Sequence, residues 1–325
     1  MLPPTLKELD AKLLGELAAS SDNDLRREAV RTLASSPIPE RDELLRPIAA
    51  DDWLDVNLRA EAVAGLAPID QHPKLNDATR DLLVKLLRDK NPVLVIEALR
   101  SLREPAKGEQ PFDDAKSFKA IDQLVGELED AVRAKNRPPF LKGEEDFRPR
   151  FHEALEFAMG KRPSIEAQHQ YAVLATDAAA GDKPIGDPAA GRRTFFHTNS
   201  AGCFKCHSVG GRGGQVGPDL TVIARTMDRQ KLAESILEPS KEISPQFTTW
   251  AIETKAGKVL TGTLLGEEVN GDLRLGGNTG KVFFVPFNDI ETRTPLKTSI
   301  MPEKLHELMT PSEFRDLIAY LETLK

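Results

Sequence analysis

Two cysteines are all this 325-residue chain carries. A structural zinc site takes four protein ligands, usually as two ligand pairs. Here no second cysteine pair exists, and five of the histidines (His72, His152, His169, His197, His306) lie scattered. Long apolar runs are missing as well: no stretch of 18 apolar residues occurs, so no transmembrane helix is expected. Basic charge is not in excess. With 44 Lys and Arg against 51 Asp and Glu, the net charge is −7, which argues against a nucleic-acid binder. The first residues, Met1-Leu2-Pro3-Pro4-Thr5, show neither the charged n-region nor the apolar h-region of a signal peptide. No Ser-His-Asp set, phosphate loop or paired-carboxylate site stands out, so no turnover reaction is assigned.

What is present is enough apolar material for packed cores, 40% of residues, over a length that suits two or three domains. Both cysteines fall within Cys203-Phe204-Lys205-Cys206-His207. This C-x-x-C-H string is the attachment signature of c-type haem. Each cysteine can form a thioether to one porphyrin vinyl group, and the adjacent histidine can then supply the proximal ligand to iron. The rival readings are zinc, a redox dithiol and chance. A thioredoxin-like dithiol opens a helix after a strand, and no such strand precedes Cys203. Three fixed residues are few, so the flanks decide. Upstream, Asp187 is a good N-cap and Pro188 suits the first helical position, while Gly191 and Phe195 share one helix face. Downstream, past a glycine-rich loop, comes Gly217-Pro218-Asp219-Leu220. Near the end, Thr310-Pro311-Ser312-Glu313 is a capping box that opens a helix with Phe314, Leu317, Ile318 and Leu321 on one stripe.

This arrangement resembles a class I cytochrome c. The resemblance implies that Gly191 and Phe195 meet Tyr320 and Leu321 where the first and last helices cross. It also implies that the Pro218 carbonyl faces the second nitrogen of His207, orienting the ligand. Residues 187–325 are similar more closely to a haem-binding domain family found at the C-terminus of large bacterial dehydrogenase-like proteins. The strings that carry this are Gly217-Pro218-Asp219-Leu220-Thr221, Glu234-Ser235-Ile236-Leu237-Glu238-Pro239-Ser240 and Ser299-Ile300-Met301-Pro302.

Residues 1–180 read as a separate domain of successive helices. Asn23–Leu33 recurs as Val56–Leu66 and as Pro92–Leu102, at offsets of 33 and 36 residues, with a weaker copy over Arg150–Ala158. Leu, Ala and Val recur at helical spacing, and Glu28, Glu61 and Glu97 recur outside that stripe. Such a period means one helix pair per repeat, stacked on its neighbours. The repeats resemble HEAT-type units of an α-solenoid. Their glutamates are expected to be solvated or to contact the next repeat. A loop is expected at 104–111, a helix from Ala115 to Ala134, a break at Arg137-Pro138-Pro139 and a linker from Ala178 to Asp187.

After a short helix over Asp228–Leu237 the period changes. Phe247–Glu253, Val259–Leu265, Leu273–Leu275, Val282–Val285 and Ile290–Arg293 read as strands of a small antiparallel sheet or barrel, an insert at 247–294. Met301 lies 94 residues after His207, and setting this 48-residue insert aside leaves 46. That is an ordinary cytochrome spacing for a distal ligand, and with the family resemblance it makes Met301 the expected one. Met309 reads as an apolar residue before the helix cap, Met227 is a third candidate, and a bis-histidine site would use His197 or His306.

The chain is thus expected to be mainly α, an N-terminal HEAT-like solenoid followed by a cytochrome c fold with a small β insert. The resemblance implies one covalent haem c on Cys203 and Cys206, iron ligated by His207 and Met301, and an electron-transfer role with a dehydrogenase as redox partner. Arg225 is a candidate to approach a propionate. Residues 187–246 hold eight Lys and Arg against six Asp and Glu, a mildly basic rim that could steer an acidic partner. The alternatives are a helical-repeat scaffold with a sensory or structural haem, and an open-site haem that binds a small gas or peroxide. Covalent haem attachment normally requires export, so a periplasmic or exported protein is expected, with the sequence in hand a mature or shortened form.

Overall fold

The structure, a computed structural model, describes residues 9–103, 115–133, 147–159 and 186–325. The expected loop at 104–111, the break at Arg137-Pro138-Pro139 and the linker up to residue 185 lie outside the described residues. The first part contains helices α1 (Ala11–Ala18), α2 (Asn23–Ala34), α3 (Arg41–Ala50), α4 (Val56–Gly65), α5 (Asp77–Leu86), α6 (Pro92–Leu102), α7 (Ala115–Arg133) and α8 (Phe147–Ala158).

The three repeated segments are α2, α4 and α6. Each starts where the sequence supplies a side-chain acceptor: Asp22, Asp55 and Asn91 accept hydrogen bonds from the first free N–H groups of their helices. Two rows result. In one, α2 packs on α4, α4 on α6 and α6 on α8; in the other, α1, α3, α5 and α7 follow each other. The recurring apolar positions explain the stack. Ala29, Val30 and Leu33, then Ala62, Val63 and Leu66, then Ala98, Leu99 and Leu102 all join one continuous buried core, and Ala154, Leu155 and Ala158 of the weaker copy join it too. A single helix pair cannot bury that stripe alone, so neighbours bury it for one another.

A second core lies in the C-terminal part, among α9 (Pro188–Phe196), α10 (Arg229–Leu237) and α11 (Pro311–Glu322). Asp187 caps α9 through the N–H of Ala189, and the Thr310–Glu313 capping box of α11 is formed in both directions. Helix α9 crosses α11 at Gly191. A Cβ there would lie 1.9 Å from the Asp316 carbonyl oxygen and 2.8 Å from Tyr320 Cβ. One turn on, the Phe195 and Tyr320 rings meet edge to face at 5.9 Å. Gly191→Ala is therefore expected to force the helices apart and cost about 3 kcal/mol or more. Thermal unfolding measures this, and an unchanged midpoint would show that the crossing is not tight.

The glycine-rich stretch expected as loop contains a short hairpin, β1 (Ser208–Val209) with β2 (Arg212–Gly213). The insert forms five strands, β3 (Thr249–Thr254), β4 (Val259–Glu267), β5 (Leu273–Gly276), β6 (Val282–Val285) and β7 (Ile290–Pro295). All its pairings are antiparallel and the order is β6-β5-β4-β3-β7. Sequence alternation left a sheet or a barrel open; the sheet is open, with β6 and β7 as unjoined edges. Ile252, Leu273, Leu275 and Val285 form its own small core. It rests on the rest of the module, because a Cβ on Gly276 would lie 2.7 Å from Val216, which is itself buried.

Candidate functional site

Cys203, Phe204 and Lys205 form a single turn of 3-10 helix after Gly202. The N–H groups of both Cys206 and His207 bond back to the Cys203 carbonyl. The turn therefore presents the two thiols and the imidazole from one tight unit. The loop 214–221 then wraps it. Gly214 N–H bonds to Phe204 O, and Gly217 N–H to Cys206 O. Asp219 accepts from Ser208 Oγ at 2.7 Å and from Thr221 N–H at 2.7 Å, and Thr221 Oγ1 accepts from Gly210 N–H at 2.8 Å.

His207 Nδ1 lies 2.9 Å from the Pro218 carbonyl oxygen. A carbonyl can only accept, so Nδ1 carries the proton and Nε2 keeps its lone pair. Burial lowers the His207 pKa below its ordinary 6.5, against the Pro218 bond, which raises it. At neutral pH the ring is uncharged, with one nitrogen fixed and the other a ready ligand. Gly217 makes room for it: a Cβ there would lie 2.6 Å from His207 Cε1 and 2.8 Å from Nδ1. Gly217→Ala should push the ring off the Pro218 carbonyl at a cost of about 1–3 kcal/mol. The check is thermal unfolding together with the imidazole proton resonances, and unmoved resonances would contradict the seating described.

Burial pushes the Cys203 thiol up to about 12 and raises that of Cys206 as well. A redox dithiol needs the opposite, a lowered pKa on its nucleophilic sulfur. Cys203, Leu220, Ile223, Met227 and Met301, all partly exposed, each pack against the core of α9, α10 and α11. The donor set suits a haem: two thiols and a neutral imidazole on one turn, set against an apolar core that Met227 and Met301 also touch.

The segment bearing Met301 is held in place by the other sequence strings of the module. Met301 N–H donates to Ser299 Oγ at 3.1 Å, Ser299 N–H donates to Ser240 Oγ at 3.2 Å, and Ser240 Oγ donates to Glu303 at 2.7 Å. Met309 is fully buried core. Met227 lies at the edge of that core, 4.0 Å from Ser235 Oγ. His197 offers no nitrogen to a metal: Asn199 N–H donates to its Nδ1 at 3.0 Å, and its Nε2 lies 3.2 Å from Ser101 Oγ. His306 is buried on the short turn Leu305–Leu308 against α10. Arg225 is exposed at the end of the turn Ile223–Arg225. Among the described residues, no three His, Cys, Asp or Glu side chains converge on a metal-sized point, and no helix is long and apolar enough to cross a membrane.

The repeated glutamates are where the sequence reading falls short. Among the described residues, only Arg31 with Glu61 is an inter-repeat contact of the expected kind. Each glutamate also takes a group from the C-terminal module. Glu28 pairs with Arg212 at 3.2 Å, Glu61 with Arg192 at 3.0 Å and Glu97 with Arg193 at 2.7 Å. Glu153, at the same position of the weaker copy, accepts from the N–H of Ser312 at the start of α11. Glu313 closes the row by holding both Arg100 and Arg103. Three arginines of the expected basic rim are therefore not a steering surface. Arg193 is 2% exposed and Arg212 5%, and both are spent on the helix stack together with Arg192. The available signal was the recurrence of Glu outside the apolar stripe.

No protein-family model matches this chain, and no curated protein matches it.

Proposed function

We propose that the chain is an electron-transfer protein that carries one covalently attached haem c. In this reading the helix stack is a HEAT-like solenoid and residues 187–325 are a cytochrome c-type domain with a β insert. The observation that carries it is the 2.9 Å contact of His207 Nδ1 with Pro218 O, on a turn that also presents both thiols. Cys203 and Cys206 would anchor the porphyrin, His207 Nε2 would be the proximal ligand and Met301 the distal one. When bound, the group supplies reversible one-electron chemistry at iron.

The chain's own residues set the conditions for that chemistry. Pro218 holds the imidazole in one tautomer and orientation. Leu220 and Ile223 pack against the same apolar core as Cys203, and such apolar surroundings would lower the local dielectric. With both axial positions filled there is no place for substrate, so the electrons would come from a redox partner, a dehydrogenase in this reading. Export to the periplasm follows from the requirement of haem attachment. The scaffold reading is weaker, because the glutamate row of the repeats is already occupied by the chain's own C-terminal module.

The test is the mass of the denatured protein after co-expression with haem-c maturation machinery. The expected result is the chain plus one haem, lost when Cys203 and Cys206 are both replaced by Ser. The apo mass despite working maturation would overturn the proposal.

A further inference from the structure

A cavity of about 390 Å³ lies between the helix stack and the C-terminal module. Neither Met301 nor Leu220 lines it, and of the motif it touches only Phe204 and Lys205, between the cysteines. One wall is apolar, with Ala34, Ala64 and Ile69 from the repeats facing Phe196 and Phe204. The other wall is cationic.

The charges on that wall form an alternating chain. Arg212 pairs with Glu28, Glu28 with Arg31, Arg31 with Glu61, and Glu61 with Arg192. The chain begins and ends on arginine, so three guanidiniums meet two carboxylates. Burial lowers the pKa of Arg192 and Arg212; Glu61 and Glu28 oppose it, and the neighbouring guanidiniums lower it further. Next to this chain, Arg193 is buried on the cavity wall with Nη1 and Nη2 lacking any hydrogen-bond partner, and the buried Thr198 Oγ1 on the same wall lacks one too. Burying polar groups without partners is costly, more so when they are charged.

We propose that this cavity binds a small organic carboxylate with a compact apolar body. One excess positive charge on the arginine–glutamate chain matches a monoanion. Arginine presents the planar fork that a carboxylate accepts. The apolar wall matches a carbon skeleton, and the volume falls within the usual range for small-molecule sites, roughly 300–1,000 Å³. The ligand touches both modules, so it stabilises their docking, and it sits behind the Phe204–Lys205 turn. The inference does not rest on the haem reading, and its readout is heat of binding rather than redox activity.

Benzoate and hexanoate are the probes, titrated calorimetrically into the full chain, with benzyl alcohol and inorganic phosphate as controls. The expected result is a Kd of about 1 mM or tighter for at least one carboxylate, with the alcohol and phosphate at least tenfold weaker. Arg192→Gln should weaken carboxylate binding by about tenfold or more. Ala64→Leu narrows the cavity on its apolar wall, removes no charge, and should abolish binding in a protein whose circular dichroism is unchanged. No carboxylate binding to the folded wild type up to about 50 mM, equal binding of benzyl alcohol, tighter binding of phosphate, or binding that survives Ala64→Leu would each overturn the proposal.

Discussion

Glu313→Gln is expected to destabilise the protein by about 3–5 kcal/mol, a fall in Tm of roughly 5–15 °C. Glu313 holds Arg100 at 2.7 Å and Arg103 at 3.0 Å, all three side chains no more than 4% exposed. Taking away its charge leaves Arg100 with Glu97 alone and Arg103 with no carboxylate, and an unpaired buried charge costs more than the pair contributes when intact. Glutamine still accepts the capping-box hydrogen bond from Thr310 N–H that Glu313 now accepts at 2.9 Å. Glu313→Ala should therefore be worse by only about 1 kcal/mol. A glutamine variant as stable as wild type would refute the charge account.

The same residue gives the protein an acid limit. Burial pushes the Glu313 carboxyl up, but Arg103 and Arg100 more than offset this and hold it at about 2, below its ordinary 4.5. A depressed folded-state pKa means a contribution that is complete above pH 4.5 and lost as pH falls through 2. Asp316 works in the opposite direction. Burial raises it to about 6 despite Arg150, so its contribution is complete below its ordinary 3.8 and lost as pH rises through 6. The stability difference between wild type and Glu313→Gln isolates the first effect. It should shrink between pH 4.5 and 2, and a difference independent of pH would contradict it.

Met301→Ala carries the largest expected effect on function. Thioether ligation favours ferrous over ferric iron and raises the potential. Its loss should lower the potential by a sizeable part of the roughly 0.8 V range that axial ligands span, and open the sixth position to added imidazole. The local structure should survive, since Met301 lies at the edge of its core rather than inside it. Spectropotentiometry checks the shift; no change in potential or imidazole binding would remove Met301 from the ligand set.

Much of the fold is written locally. The repeat helices are legible because Leu, Ala and Val recur on one stripe behind Asp22, Asp55 and Asn91 caps. The five strands are legible because alternation and turn residues are also local, and the Thr310–Glu313 box marks the first turn of α11. The contact of Pro218 with His207 was legible only through resemblance, since nothing in the sequence between positions 11 apart dictates it. The docking of the two parts was not legible. Arg193 and Glu97 are 96 positions apart, and Arg100 and Glu313 are 213 apart. Ion pairs at such separation leave no period and no spacing. Whether the sheet closes was likewise beyond a pattern, because it depends on whether β6 reaches β7, and β6 is only four residues long.

The central claim is tested most directly by the absorption spectrum of the oxidised protein, matured with haem-c machinery and recorded into the far red. Methionine sulfur on ferric iron gives a weak charge-transfer band there. The account predicts a c-type haem spectrum with that band in the wild type and without it in Met301→Ala. A wild-type protein that takes up no haem, or whose haem shows no such band, would contradict the His207–Met301 electron carrier.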